Sequence, residues 1–262
     1  MRAALFNCHF GKLPSWLPYF IKSASIVRCI DFYIMTDDSI DSHNNFCKDH
    51  GINNVTFKTF SIKDLETIVS EKLSTSYKLP EVRKICDWKT AYNFLFTDIS
   101  SSYNYWGHCD LDIIMGDIDS YLTPLFGNFD IISGDRSRLC GPFNLYSNNL
   151  GDVFKIHASW ERIMLKMGHV AYDEIDLDNA IKIHKDISVC YGVSNNRYMQ
   201  NYGSPHLQPP LRIPATWTNG KLTIDEDGRE TMFIHMGHKS SIKNTDYCDS
   251  NFFHINTHGF KS

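Results

Sequence analysis

No stretch of this chain approaches the ~18 consecutive apolar residues that a membrane-crossing helix needs, so a spanning helix is excluded. The opening residues, Met1-Arg-Ala-Ala-Leu-Phe-Asn-Cys-His-Phe10, turn polar too early for the apolar region of a secretory signal. Cys-x-x-Cys pairs are also missing: the eight cysteines stand apart at positions 8, 29, 47, 86, 109, 140, 190 and 248. Scattered thiols of this kind suit a reducing cytoplasm better than a zinc knuckle or a disulfide frame. Charge of one sign is scarce too, since 26 basic residues meet 30 acidic ones for a net of −4, with no long run of either. A basic nucleic-acid-binding surface is therefore not expected. There is no internal repeat and no low-complexity linker. These absences leave a globular cytoplasmic protein, with peripheral contact at the inner face of a membrane and the oligomeric state both open.

What is present is a chain of 262 residues, 42% apolar, with 17 Phe and 13 Tyr, enough to bury a full core. Its first half alternates short apolar runs with helical patterns, the signature of an α/β fold with a mostly parallel sheet. Ala3–Asn7, Ile30–Met35, Tyr103–Cys109 and Phe129–Ser133 read as strands. Trp16–Ser25, a segment from Ser61 with a capping Asp64, Val82–Thr97 and Val153–Met167 read as helices, the last ending at Gly168 as C′ residue. His157, on the apolar stripe of that last helix, reads as a core histidine. After about residue 200 the character changes: Ser204–Pro214 carries four prolines, and Asn219-Gly220 predicts a type I′ hairpin. Asp225-Glu-Asp-Gly228 lacks the further ligands of a calcium loop and reads as a second turn. Residues 1–200 are thus expected to form the main domain, and residues 201–262 a small hairpin-containing segment within the same compact unit.

The segment richest in chemistry is Tyr105-Trp-Gly-His-Cys-Asp-Leu-Asp-Ile-Ile-Met-Gly-Asp117. On a strand, Asp110 and Asp112 would share one face. Carboxylates so close repel one another unless a cation neutralises them, and hard oxygen ligands suit Mg²⁺ or Mn²⁺. The plain alternative is a strand ending in a solvated turn. Polar residues also close the first two strands, at Asn7 and His9 and at Asp37 and Asp38, where an open α/β sheet binds its ligands. A second signal lies at Phe233-Ile-His-Met-Gly-His-Lys239, where a short strand would deliver His235, then a fixed charge at Lys239. An imidazole added to two carboxylates shifts the preference somewhat towards Mn²⁺.

Together these residues resemble glycosyltransferases of the GT-A fold, whose Asp-x-Asp motif Asp110-Leu-Asp112 matches. Phe10-Gly-Lys-Leu-Pro-Ser-Trp16, Ile34-Met-Thr-Asp-Asp38, Lys84-Ile-Cys-Asp-Trp-Lys89 and Asp130-Ile-Ile-Ser-Gly134 strengthen the likeness over roughly residues 5 to 175. As a set they look like an uncharacterised bacterial family found with surface-polysaccharide genes. His235 to Lys239 is similar to the late His-x-x-Gly-x-x-Lys-Pro-Trp motif of retaining galactosyl- and glucosyltransferases, but with shorter spacings and no Pro-Trp.

The resemblance implies a GT-A-like, Rossmann-like catalytic domain that moves a hexose from a nucleotide diphosphate sugar, UDP-linked by preference. The acceptor would be a hydroxyl of a surface glycan: lipopolysaccharide, O-antigen or capsule. It also implies a Mn²⁺ or Mg²⁺ ion on Asp110, Asp112 and His235. Asn7, Cys8, His9, Asp37 and Asp38 would lie near the nucleotide. Asp87, Lys89, Asp110 and Lys239 would face the diphosphate and donor sugar, and the C-terminal segment would close over the donor. If transfer inverts the anomeric centre, Glu174 or Asp173 must deprotonate the acceptor; the late His-Gly-Lys hints at retention instead. Gly141, Asn144 and Tyr146, in Cys140-Gly-Pro-Phe-Asn-Leu-Tyr146, would form the acceptor floor. The rivals are a non-catalytic carbohydrate- and metal-binding protein and a phosphatase of the haloacid dehalogenase type. Against the latter, its Asp-x-Asp usually opens the chain, whereas over a hundred residues precede Asp110.

Overall fold

The computed structural model describes residues 1–193, 214–226, 228–236, 251–256 and 259–261. Fully buried apolar runs become the middle strands of a seven-stranded sheet, as expected of strands covered on both faces. Its strands are β1 (Ala3–His9), β2 (Ile30–Thr36), β3 (Val55–Thr59), β4 (Tyr105–Cys109), β6 (Ile131–Ser133), β7 (Phe143–Ser147) and β8 (Val189–Cys190), with β5 (Ile113–Met115) standing outside it. Their order is β3-β2-β1-β4-β7-β6-β8, and only β7 runs against its neighbours. Helices flank the sheet, so the fold is mixed α/β with a mostly parallel sheet, compatible with a Rossmann-like architecture.

Alternation along each strand feeds two cores. Ala3 and Leu5 of β1 join Phe20, Phe32 and Tyr105 on one face. Ala4, Phe6 and Cys8 join Trp88, Trp106 and Tyr146 on the other. Helix α1 (Leu17–Ala24) carries Pro18 in its first turn, where no amide partner is lost. After α2 (Asp41–Asp49), α3 (Ile62–Lys72) opens on the expected cap: Ser61 Oγ accepts from the Asp64 amide, and Asp64 Oδ2 accepts from the Ser61 amide at 2.8 Å.

Two expected helices are broken. Val82–Thr97 is a succession of short turns: a 3₁₀ turn at Val82–Lys84, α4 (Ile85–Trp88), a second 3₁₀ turn at Lys89–Ala91, α5 (Tyr92–Leu95) and α6 (Thr97–Ser100). From Lys84 to Tyr92 every residue is buried except the half-buried Cys86, so side chains on all sides need partners, not one stripe. The Lys84 ammonium, wholly buried, donates to Asp87 Oδ2 at 2.8 Å and to the Ile163 and Gly168 carbonyls at 2.6 and 3.2 Å.

The second broken helix is Val153–Met167. Here a 3₁₀ turn at Val153–Lys155 precedes helix α8 (Trp160–Lys166), and α7 (Ile118–Leu122) lies earlier in the chain. His157, half-buried, lies in the break, where its Nδ1 accepts from the Ser159 amide at 3.1 Å. Met167 then leaves the helix extended, with ψ 155°, so Gly168 offers its carbonyl to Lys84 and is no left-handed C′ residue.

The C-terminal residues build a separate four-stranded antiparallel sheet in the order β10-β9-β12-β13, from β9 (Ala215–Thr218), β10 (Lys221–Ile224), β12 (Phe252–Asn256) and β13 (Gly259–Lys261). The Asn219-Gly220 turn has φ of 47° and 89°, as the type I′ hairpin requires. The Asp225 turn closes with the Gly228 amide donating to the Ile224 carbonyl at 2.9 Å. Trp217 stacks on Phe253 and donates from Nε1 to the Met115 carbonyl, while Phe260 stacks on Tyr19 of α1 at 3.8 Å. This sheet therefore sits on α1 and β5. Only β11 (Phe233–His235), antiparallel to β5, runs from the C-terminal segment to the Asp-x-Asp region among the described residues. No helix of these residues is long and apolar enough to cross a membrane.

The Lys84–Asp87 pair has no access to water, so breaking it leaves an uncompensated charge. Asp87→Asn should cost about 3–5 kcal/mol in urea unfolding. By contrast Glu66→Gln, which breaks the surface pair with Lys78, should cost under about 1 kcal/mol.

Candidate metal centre at the carboxyl edge of the sheet

Because β1, β2 and β4 are adjacent and parallel, their carboxyl ends form one edge. From β1 the chain builds outward through β2 to β3, then returns to place β4 on the other side of β1. That reversal is a switch point, where open α/β sheets leave a crevice. A cavity of about 390 Å³ lies there, lined among others by Asn7, Cys8, His9, Arg83, Lys89 and Asp110. Five of the residues expected near a donor thus share one cavity.

Asp110 and Asp112 do not ride on a strand. β4 ends at Cys109 and β5 begins at Ile113, so the pair occupies the tight connection between them. Loop curvature, not strand pleat, brings them together. Asp110 is pinned by its amide on the Pro142 carbonyl, and the Leu111 carbonyl accepts from Trp16 Nε1 at 3.1 Å. The β5–β11 register sets His235 opposite Ile113, and the Met236 amide donates to the Asp112 carbonyl. His235 Nε2 consequently stands 3.3 Å from Asp112 Oδ2. One ligand atom from each of Asp110, Asp112 and His235 falls within 4.8 Å of the others. An octahedral ion with ~2.1 Å bonds spaces neighbouring ligands about 3 Å apart, so a small closing movement makes this set fit Mg²⁺ or Mn²⁺. Burial pushes the His235 imidazole down, but Asp112 and Asp110 outweigh it and hold its pKa above the ordinary value.

Lys89 Nζ donates to Asp110 Oδ1 at 2.5 Å and to the Gly141 carbonyl at 2.9 Å. Asp87, expected beside it at the diphosphate, is turned the other way: it binds Lys84 and accepts from the Val170 and Tyr172 amides at 3.1 and 2.9 Å. It fastens the turns carrying Lys89 to the 170–172 loop. Asp37 and Asp38 also spend their oxygens on backbone, accepting from the Gly11 and Leu13 amides at 2.7 and 2.8 Å. They shape the loop that brings Lys12 to the cavity. Asn7 donates to the Cys109 carbonyl at 2.8 Å, the Cys8 amide to the Tyr92 hydroxyl, and His9 pairs with the Lys12 carbonyl. Lys239 lies outside the described residues.

A π-helical turn at Asp173–Leu177, leading into α9 (Asp178–Ile183), carries the two candidate bases. Asp173 is buried, 3.9 Å from His108 Nε2, and burial pushes its pKa up to about 7. Burial, with the Lys89 ammonium, lowers that of His108 to about 3, so this imidazole is neutral. Glu174 is half-buried and meets Arg138 at 3.3 Å. A Cβ on Gly141 would lie 2.0 Å from Glu174 Oε1, so the missing side chain makes room for that carboxylate. Asn144 is buried and spends its amide on Cys140, while Tyr146 is buried against Trp106 and His108. Neither presents a floor to an acceptor in this conformation. Sequence reasoning passed over His108, Arg138, Arg83 and Lys12; the one available signal was the position of His108, near the end of β4 and two residues before Asp110.

The fold and site define an α/β protein with a carboxylate–imidazole cluster beside a crevice at the switch point of its sheet. Residues 5–262 match a family of unknown function, DUF6625, and the chain belongs to that family. No curated protein matches it.

Raised from 3.8 to about 7, the Asp173 pKa means the folded protein holds this proton while the unfolded chain releases it. The native state thus loses stability as pH rises through that window, a loss that Asp173→Asn removes. In thermal melts the variant should gain several degrees on the wild type at pH 8 relative to the difference at pH 4. An equal difference at both would contradict this.

Proposed function

We propose that this chain is a metal-dependent glycosyltransferase. It moves a hexose from a nucleotide diphosphate sugar, UDP-linked by preference, to a hydroxyl of a bacterial surface glycan such as lipopolysaccharide, O-antigen or capsule. The observation that carries the reading is the Asp110–Asp112–His235 cluster, whose Asp110 lines the switch-point cavity together with the Lys89 ammonium that it binds. Cation ligands, a fixed positive charge and a nucleotide-sized crevice are what a diphosphate leaving group needs in one place.

In this reading Asn7, Cys8 and His9 bound the nucleotide, and Asp37 and Asp38 act through the loop they hold. A bound Mn²⁺ or Mg²⁺ supplies Lewis-acid stabilisation of the departing diphosphate. Lys89, which lines the same cavity and donates to Asp110, adds a hydrogen-bond donor for the phosphate oxygens. Glu174 keeps solvent access that Asp173 lacks, so in an inverting transfer Glu174 is the group that takes the acceptor proton. Asp173 stays inside beside His108, held towards its protonated form by burial. The seven described cysteines are free thiols, which suits a reducing compartment and a cytoplasmic protein, with lipid-linked acceptors met at the membrane surface.

The test is UDP release from a panel of UDP-sugars with and without Mn²⁺. Turnover of one donor should depend on metal and fall at least a hundredfold in Asp112→Asn, whose melting profile should stay cooperative. Unchanged turnover in that variant would sink the proposal. Glycan binding without turnover of any donor would favour a carbohydrate-binding protein instead.

A further inference from the structure

The Lys89 ammonium sits on the very carboxylate that a divalent cation would use. Its Nζ is 2.5 Å from Asp110 Oδ1 and 2.9 Å from the Gly141 carbonyl, and its side chain is only 10% exposed. Gly141 in turn lies against Glu174, so Lys89 is held by the Gly141 peptide as well as by Asp110. The residue also lines the cavity, together with Arg83 and Lys12. Asp110 keeps 26% of its side chain exposed, and Asp112 and His235 stand beside it within ligand spacing.

Resting on the metal-dependent reading, we infer that Lys89 is a stand-in cation. In the ligand-free protein its ammonium neutralises Asp110 and competes with the divalent ion, so the ion binds weakly until a diphosphate arrives. The physical reason is charge balance. A doubly charged ion bound to Asp110 at ~2.1 Å would lie within a few ångströms of the ammonium, and the two repel in a partly desolvated site. Two carboxylates do not neutralise both cations together with Arg83 and Lys12 nearby. A nucleoside diphosphate does: its oxygens coordinate the ion and accept hydrogen bonds from Lys89, replacing the carboxylate that the ammonium gives up. Ion and diphosphate therefore bind as a unit, and by linkage each tightens the other equally. Lys89 on this account binds the diphosphate and, while the donor site is vacant, keeps it from holding metal.

The experiment is Mn²⁺ titration followed by the paramagnetic resonance of free Mn²⁺, with and without UDP, on wild-type protein, Lys89→Met and Lys89→Arg. In the wild type UDP should tighten Mn²⁺ at least tenfold. Lys89→Met should bind Mn²⁺ alone at least tenfold more tightly than the wild type and lose most of the UDP effect. Lys89→Arg, which keeps the charge, should bind Mn²⁺ alone as weakly as the wild type. Equal or weaker binding of Mn²⁺ by folded Lys89→Met would overturn the stand-in role while leaving the metal site intact. Absence of Mn²⁺ binding in every protein, with or without UDP, would overturn the metal-dependent reading and this inference with it. Should Lys89→Met fail to melt cooperatively, the wild-type coupling decides: a UDP effect under twofold would refute the inference.

Discussion

The carboxyl edge of this sheet is governed by the need to compensate buried and half-buried carboxylates. Asp87, Asp110, Asp112 and Asp173 each meet a different answer. Asp87 has Lys84 and two backbone amides; Asp110 has Lys89; Asp112 faces His235; Asp173, beside neutral His108, is held towards its protonated form. Two lysines on the single segment from Lys84 to Lys89 serve two carboxylates, which explains why that segment is broken into short turns. A continuous helix would turn a single stripe towards the core, whereas these side chains find partners on several sides.

The same compensation ties distant parts of the chain together. Lys84 reaches the carbonyls that end α8, Asp87 holds the loop leading to the π-helical turn, and Lys89 joins Asp110 to the Gly141 peptide. Strand β11 adds His235 from the far end of the sequence through its pairing with β5. The C-terminal sheet, fixed to α1 by Tyr19, Phe253 and Phe260, holds β9 and its partner strands in place on the side of α1 and β5. The cluster is in this sense assembled by the fold, not by any one local motif.

The central strands were legible because β1, β2 and β4 are short, mostly apolar runs, and α3 because its capping box is a local signal. The Asn219-Gly220 hairpin was legible for the same reason. Asp110, Asp112 and His235 could be selected together from residue type and likeness, and the structure brings them within ligand spacing. What sequence could not show was direction. Asp87 and Lys89 stand two residues apart, yet one faces the 170–172 loop and the other Asp110, because burial on several sides overrides helical periodicity. Asp37 and Asp38 look like ligands of a strand end, but the open amides of residues 11 and 13 claim them. Gly141 was expected in the acceptor floor, but the space beside it is taken by Glu174, which arrives from a turn some thirty residues later. Such pairings are tertiary and leave no periodic trace.

The central claim is that Asp110, Asp112 and His235 hold one divalent ion that also touches a diphosphate. Pulsed paramagnetic resonance of Mn²⁺ bound in the presence of UDP tests it directly, because couplings to ¹⁴N and ³¹P report those first neighbours. The account expects both couplings in the wild type, with the nitrogen coupling alone lost in His235→Gln. A spectrum showing only water around the ion, or a nitrogen coupling unchanged by that substitution, would contradict it.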